Sequence, residues 1–230
     1  MNLLRRRLRS RTVFTLLADS GTSVAYTIKA LLSANQIPLH IHDPNGRFVI
    51  QPSIYTNSLA VAEEVVNHKS RRNLELTVLG GTERPERRSL ISEMTVDWAR
   101  HINSSGKLDL AILGATGIAP QHNEDPSLYG LFMDNEIECR LKSHLLSSST
   151  MKIVVADSSK IISGSYTHSF SSVSGNFVDL IVTDNGQIDN GVGSARKTSD
   201  EDEISRSLND FSNAAAENNV AVIQVGPLSK

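Results

Sequence analysis

The chain has a single cysteine, Cys139, among its 230 residues. One thiol excludes an intramolecular disulfide framework and a Cys-rich zinc site, and a reducing, cytoplasmic compartment is the expectation. No apolar run approaches the ~20 residues needed to cross a bilayer. An excess of basic charge is also missing: 23 Lys and Arg stand against 25 Asp and Glu, a formal charge of −2. The whole-chain basic footprint of a nucleic-acid binder is therefore absent. There is no internal repeat, no P-loop, no Gly-x-Gly-x-x-Gly and no Gly-x-Ser-x-Gly elbow. The seven histidines are scattered. His40 and His42 share a strand face, but no Asp or Glu cluster near them completes a metal pattern. No metal, cofactor or catalytic residue is expected.

What is present reads as globular. Hydrophobic residues make up 39% and charged residues 21%, enough apolar surface to bury a core. Residues 1–11 hold Arg5, Arg6, Arg7, Arg9 and Arg11 with no acidic residue. The apolar run that follows is short and ends at Asp19 in a Gly-containing turn, so a basic arm or linker remnant is read there in preference to a targeting segment. Without that arm the remainder has 18 basic and 25 acidic residues, a charge of −7. Residues 12–230 read as one domain, with a polar loop at about 184–200.

Along that domain a β-rich run, a turn of Gly, Ser, Thr, Asn or Asp, and a helical pattern recur. The alternation argues for an α/β fold with a mainly parallel open sheet and helices on both faces. Strands are predicted at 12–18, up to residue 56, and at 74–79, 108–113, 153–156, 177–182 and 220–225. Val24, Ile28, Leu31 and Leu32 mark a first helix to about residue 33. Asn57-Ser58 opens a second to about 68, with Asn or Ser suited to the cap. Leu90, Met94, Trp98 and Ile102 mark a third, with its first three members expected in the core. A fourth runs over about 135–146, and its Glu136, Glu138, Arg140 and Lys142 are expected to pair on the surface. Asp200 and Glu203 have capping-box spacing ahead of a last helix marked by Ile204, Leu208, Phe211 and Ala215. Residues 39–50 read as a hairpin or extended loop, 83–88 as a polar stretch, and the residues after the 114–117 turn as a loop containing Pro120 and Pro126; 161–176 are Ser- and Gly-rich with no clear period.

In open α/β sheets ligands bind outside the carboxyl ends of the strands, and several of those ends here carry small polar residues. Asp19-Ser20-Gly21-Thr22-Ser23 combines close backbone approach, hydroxyls and a following helix N-terminus, either a phosphate or carboxylate cradle or an ordinary βα turn. Thr56-Asn57-Ser58 is a second polar end or only a helix cap. Gly80-Gly81 with Arg84 offers a guanidinium beside a Gly turn. Gly114-Ala115-Thr116-Gly117 and Asp157-Ser158-Ser159-Lys160 follow. Cys139 reads as a buried, inert thiol.

Taken in order, these turns, with Leu113-Gly114-Ala115-Thr116-Gly117-Ile118, Glu138 with Lys142, and Ala156-Asp157-Ser158-Ser159-Lys160, resemble the C-terminal sensor domain of the DeoR family of bacterial sugar-metabolism repressors. The resemblance covers about residues 12–184. It implies a fold shared with ribose-5-phosphate isomerase and the CoA-transferase-like group. It also implies a small phosphorylated metabolite as ligand, self-association into a homo-oligomer, and no direct DNA or membrane binding by this domain. Carried over by position, Ser20, Gly21, Thr22 and Ser23 are expected at the phosphate. Asp19, Thr56, Asn57, Gly80, Gly81, Arg84, Gly114, Thr116, Glu138, Lys142 and Lys160 are expected among the other ligand-binding residues of the pocket. Three departures stand out. Thr116 occupies a turn where the family usually has Asp, residues 35–52 read as an unusual insertion expected to cover a pocket or a subunit interface, and the eleven residues before the first strand are expected to hold no counterpart to the family's winged helix-turn-helix. A phosphosugar isomerase and an interaction subunit on the same scaffold are the alternative readings. The isomerases carry acidic residues in the turn corresponding to 114–117, and this chain has none there.

Overall fold

The computed structural model describes residues 13–34, 51–69, 74–105, 108–120, 129–161, 168–172, 178–184, 198–217 and 220–225. The expected arm at 1–11, the segment 39–50 and most of the polar loop at 184–200 lie outside them. The architecture is α/β. A seven-stranded sheet has the order β12-β11-β9-β6-β1-β2-β3. Its strands are β1 (Val13–Ala18), β2 (Gln51–Thr56), β3 (Glu75–Val78), β6 (Leu108–Leu113), β9 (Ser149–Val155), β11 (Leu180–Asp184) and β12 (Ala221–Val225). β1 runs parallel to β2 and β6, β2 to β3, and β11 to both β9 and β12. Parallel neighbours need crossover connections, and α1 (Thr22–Ser33) and α2 (Leu59–Asn67) supply them between β1, β2 and β3.

The described residues fall into two compact units, 1–112 with 148–150, and 113–147 with 151–230. In the first, Phe14, Leu16, Leu17 and Ala18 of β1 are all buried, as expected of a parallel strand covered on both faces. Val24, Ile28 and Leu32 of α1 and Val61 and Val65 of α2 supply its helical core. Asp109 ties β6 to β1, accepting from the Thr15 N–H and hydroxyl at 2.9 Å each.

The same unit contains two differences from the sequence reading. Residues 83–88 belong to a hairpin, β4 (Thr82–Arg84) and β5 (Ser89–Ile91), closed by the 3-10 turn Pro85–Arg87. Leu90 therefore lies on a strand, and α3 (Glu93–Ser105) begins after it. Met94 and Trp98, expected in the core, are 54% and 45% exposed; Thr95, Val96, Ala99 and Ile102 face inward instead. The cause is Thr95. Its hydroxyl donates to the Gly80 carbonyl and accepts from the Ser92 N–H at 3.0 Å, which fixes the rotation of the helix.

The second unit is built on α4 (Glu136–Ser147) and α5 (Thr198–Glu217), together with β11, β12 and most of β9. Leu208, Phe211, Ala214 and Ala215 of α5 are buried, and Phe211 meets Tyr129 edge-on at 5.1 Å. Burial, then the Asp210 charge, pushes the Tyr129 phenol above its ordinary pKa. α5 starts at Thr198, so Asp200 lies inside the helix and is not its cap. A three-stranded antiparallel sheet was not anticipated: β7 (Gly117–Pro120), β8 (Tyr129–Met133) and β10 (His168–Ser172). All five residues of β8 are buried, so its run shows no alternation of apolar and polar positions to read.

Candidate functional site

The polar strand ends come in two groups, one in each unit. In the first unit the chain leaves β1 through Asp19, whose N–H donates to the Ile112 carbonyl at 3.0 Å. Asp19 and Ser20 are buried, Thr22 is exposed, and Gly21 and Ser23 are half-buried. Gly21 is the N-cap of α1, with φ 129° and ψ 149°, a conformation that favours glycine. Among the described residues no side chain caps α1, and no acidic residue lies in its first turn. The first amides of a helix lack intrahelical acceptors and carry a partial positive charge. That end is thus chemically suited to an anion, with the hydroxyls of Ser20, Thr22 and Ser23 beside it.

The end of β2 is braced internally. Thr56, Asn57 and Ser58 are all buried. The Thr56 hydroxyl accepts from the Ser58 N–H at 3.0 Å, and the Ser58 hydroxyl accepts from the Val61 N–H at 3.2 Å, capping α2. The Asn57 amide donates to the Leu90 carbonyl at 3.3 Å, and the Leu90 N–H donates back to the Asn57 carbonyl at 2.7 Å. These bonds staple the loop to the β4–β5 hairpin. At the end of β3, Gly81 has φ 152°, and a Cβ there would overlap the Thr95 hydroxyl and lie 3.0 Å from the Ile91 N. Thr95 is thus part of the Gly80-Gly81 turn, which the sequence reading missed because the residue lies fifteen positions away. Arg84, half-buried on the hairpin, pairs with Glu86 at 3.3 Å. The Glu86 carboxyl is held below its ordinary range by a backbone N–H first, with Arg84 adding to it.

In the second unit Glu138 and Lys142, expected as surface partners by their spacing and as pocket residues by the resemblance, are buried, and Lys142 fully so. The spacing was read correctly, but the face was not: both lie on the inner side of α4. The Lys142 ammonium donates to the Gly114 carbonyl at 2.9 Å, tying α4 to the turn after β6. Asn135 caps α4 through the Glu138 N–H at 3.1 Å. Thr116 is half-buried; its N–H donates to the Phe132 carbonyl at 3.0 Å, and its hydroxyl lies 3.8 Å from the Met133 sulfur. Cys139 is buried beside this group. Burial pushes its thiol up to about 11, with Lys142 opposing the shift.

The last turn, Ser158–Lys160, is a 3-10 helix after β9. Asp157 caps it, accepting from the Ser159 N–H at 3.1 Å and from the Ser159 hydroxyl. Asp184, the last residue of β11, accepts from the Ser158 N–H at 2.9 Å and from its hydroxyl at 2.6 Å. Asp184 was not singled out from the sequence, although it closes a strand as the other polar residues do. Lys160 is half-buried, and its ammonium meets no hydrogen-bond or ion-pair partner among the described residues. Among the described residues no group of three or more His, Cys, Asp or Glu is placed to hold a metal. No described helix is long and apolar enough to cross a membrane.

A parallel α/β sheet with polar turns at its strand ends defines the class. The chain belongs to the family of the DeoR C-terminal sensor domain, whose model matches residues 13–185. No curated protein matched the sequence. Among solved structures the chain is similar to a D-ribose-5-phosphate isomerase in complex with phospho-erythronic acid, at 13% identity and a TM-score of 0.36, covering 68% of this chain and 50% of that one. The ribose 5-phosphate isomerase of Plasmodium falciparum matches at 14% identity and a TM-score of 0.33, covering 69% and 50%. That of Methanocaldococcus jannaschii matches at 10% identity and a TM-score of 0.35, covering 69% and 51%. The chain thus spans about half the length of these proteins.

Proposed function

We propose that the chain is the effector-sensing part of a DeoR-type transcriptional regulator. Its ligand is a phosphorylated sugar or a similar small anionic metabolite, bound without catalysis. The observation that carries this reading is the N-terminus of α1, with no side-chain cap among the described residues, no acidic residue in its first turn, and a Ser-Gly-Thr-Ser run around it. Ser20, Gly21, Thr22 and Ser23 are assigned to the phosphate, which backbone amides and hydroxyls bind with the helix dipole. In the second unit, Lys160 is assigned as an anion contact in its own right. Asn57 and Thr56 serve chiefly to hold their loop, given the bonds they already make. Thr116 offers a neutral hydroxyl where the family usually has a carboxylate, which favours a ligand with a different hydroxyl pattern. The domain is assigned to the cytoplasm, self-associates, and acts on transcription through a DNA-binding partner or module, with effector affinity and DNA release coupled.

Thermal unfolding in the presence of aldose and ketose phosphates, each beside its dephosphorylated sugar, tests this reading. A phosphorylated compound is expected to raise the melting temperature and its free sugar to leave it unchanged. No stabilisation across a broad panel removes the sensor assignment, and turnover of a stabilising compound, followed by NMR, removes the non-catalytic one.

A further inference from the structure

Surface lysines are long and flexible, and fixing one against a ligand costs rotamer entropy. Lys160 differs from an ordinary surface lysine in what lies beneath it. Its turn is held at three points. Asp157 caps Ser159. Ile161, buried, bridges to Ile118. Asp184 holds Ser158 with both carboxylate oxygens, one on the N–H at 2.9 Å and one on the hydroxyl at 2.6 Å. Ser158 is itself buried and Asp184 half-buried, so this carboxylate clamp is partly shielded from water. The clamp is also in register with the sheet: Val182 pairs with Val155, and the Ala156 N–H continues the ladder to the Val182 carbonyl at 3.1 Å. The base of the Lys160 side chain is thereby tied to the end of β11, while its ammonium has no partner among the described residues.

We infer that Asp184 is a positioning residue for the Lys160 ammonium: by clamping Ser158 it presets the turn that presents this cation to an anionic ligand. The inference rests on the proposed reading of Lys160 as an anion contact. Two donors of Ser158 meet two acceptors of a carboxylate; a carboxamide can accept from the Ser158 N–H and donate to its hydroxyl, so Asp184→Asn replaces two charge-assisted bonds by weaker neutral ones with little change of shape. Ser158→Ala removes only the hydroxyl bond.

The test is titration calorimetry of the whole chain with inorganic phosphate and with D-ribose 5-phosphate. It covers the wild type, Lys160→Ala, Asp184→Asn, Ser158→Ala and the double variant Asp184→Asn/Lys160→Ala, with circular dichroism of each. Lys160→Ala is expected to weaken binding about tenfold, the loss of one charge-assisted contact. Asp184→Asn is expected to weaken it severalfold, Ser158→Ala by less, and the double variant no further than Lys160→Ala alone. That lack of additivity is what a merely structural role does not produce. Wild-type affinity in Asp184→Asn, or a loss that adds in full to that of Lys160→Ala, overturns the positioning role while leaving Lys160 as a contact. Unchanged affinity in Lys160→Ala, or no binding of either probe by the wild type, overturns the underlying reading and the inference with it. If Asp184→Asn fails to fold, Ser158→Ala with and without Lys160→Ala decides by the same comparison.

Discussion

Gly81 leaves no room for a side chain. Its φ of 152° disfavours any other residue, and a Cβ would strike the Thr95 hydroxyl that holds the neighbouring Gly80 carbonyl. Gly81→Ala combines backbone strain with overpacking, an expected cost of about 2–4 kcal/mol in urea unfolding. Gly21, also at positive φ, has open space around its would-be Cβ. Gly21→Ala is therefore expected to cost less, roughly 1–2 kcal/mol from strain alone. Cys139 gives a pH dependence. Its folded pKa of about 11 lies above the usual 9.0. Between those values the unfolded chain releases the thiol proton while the folded chain keeps it, so this group favours unfolding progressively as pH rises. Below pH 9 it contributes no slope. Cys139→Ser is expected to flatten the fall in stability over that window, measured by denaturant midpoints at a series of pH values. Tyr129, also shifted upward, adds a slope of the same sign that this substitution leaves in place.

At the scale of elements, α3 is the instructive case. Two stripes of this helix satisfy a helical period, Met94-Trp98-Ile102 and Thr95-Val96-Ala99-Ile102, and the larger apolar side chains favoured the first. The second is the one that packs, because the Thr95 hydroxyl finds both an acceptor and a donor inside. A polar residue satisfied by the backbone counts as core, and no property of its own side chain announces it. Val96→Ala is expected to cost about 2 kcal/mol, and Met94→Gln or Trp98→Gln to change stability by no more than ~0.5 kcal/mol. Circular dichroism is the measurement to use, since Trp98 is the sole tryptophan. The parallel strands and the helices between them were legible because Gly, Ser, Asn and Asp punctuate them with turn chemistry. The antiparallel strands were not: β8 is buried at every position and so lacks alternation, while β10 is serine-rich and reads like a loop. The surface pairing of Glu138 and Lys142 failed for the opposite reason: a Glu four residues before a Lys has the spacing of a surface pair, yet both are buried.

At the scale of the whole molecule, the ordered set of turns carried the family assignment, although each turn alone had an ordinary structural explanation. Some of those explanations hold as well: Ser58 is a helix cap and Asn57 a loop brace. The residues that position the turns, Thr95 and Asp184, were hidden because their partners are distant in sequence. A phosphorylated effector at a hundred times its dissociation constant is expected to stabilise the chain by about 2.7 kcal/mol. For a chain of this size that raises the melting temperature by roughly 5–10 °C. Binding is also expected to weaken with added salt, since the contacts proposed are charged or dipolar and partly exposed.

The single thiol has a further use. Cys139 is both covered and protonated in the native fold, so a thiol reagent attacks only molecules that have opened. Its labelling rate is therefore a clock for opening, built into the second unit without any engineered probe. A compound that binds only the folded chain slows a clock governed by global opening by the same factor as it stabilises, about a hundredfold at a hundred dissociation constants. Effectors can thus be ranked by how long one sulfur stays unmodified, in native buffer and at constant temperature.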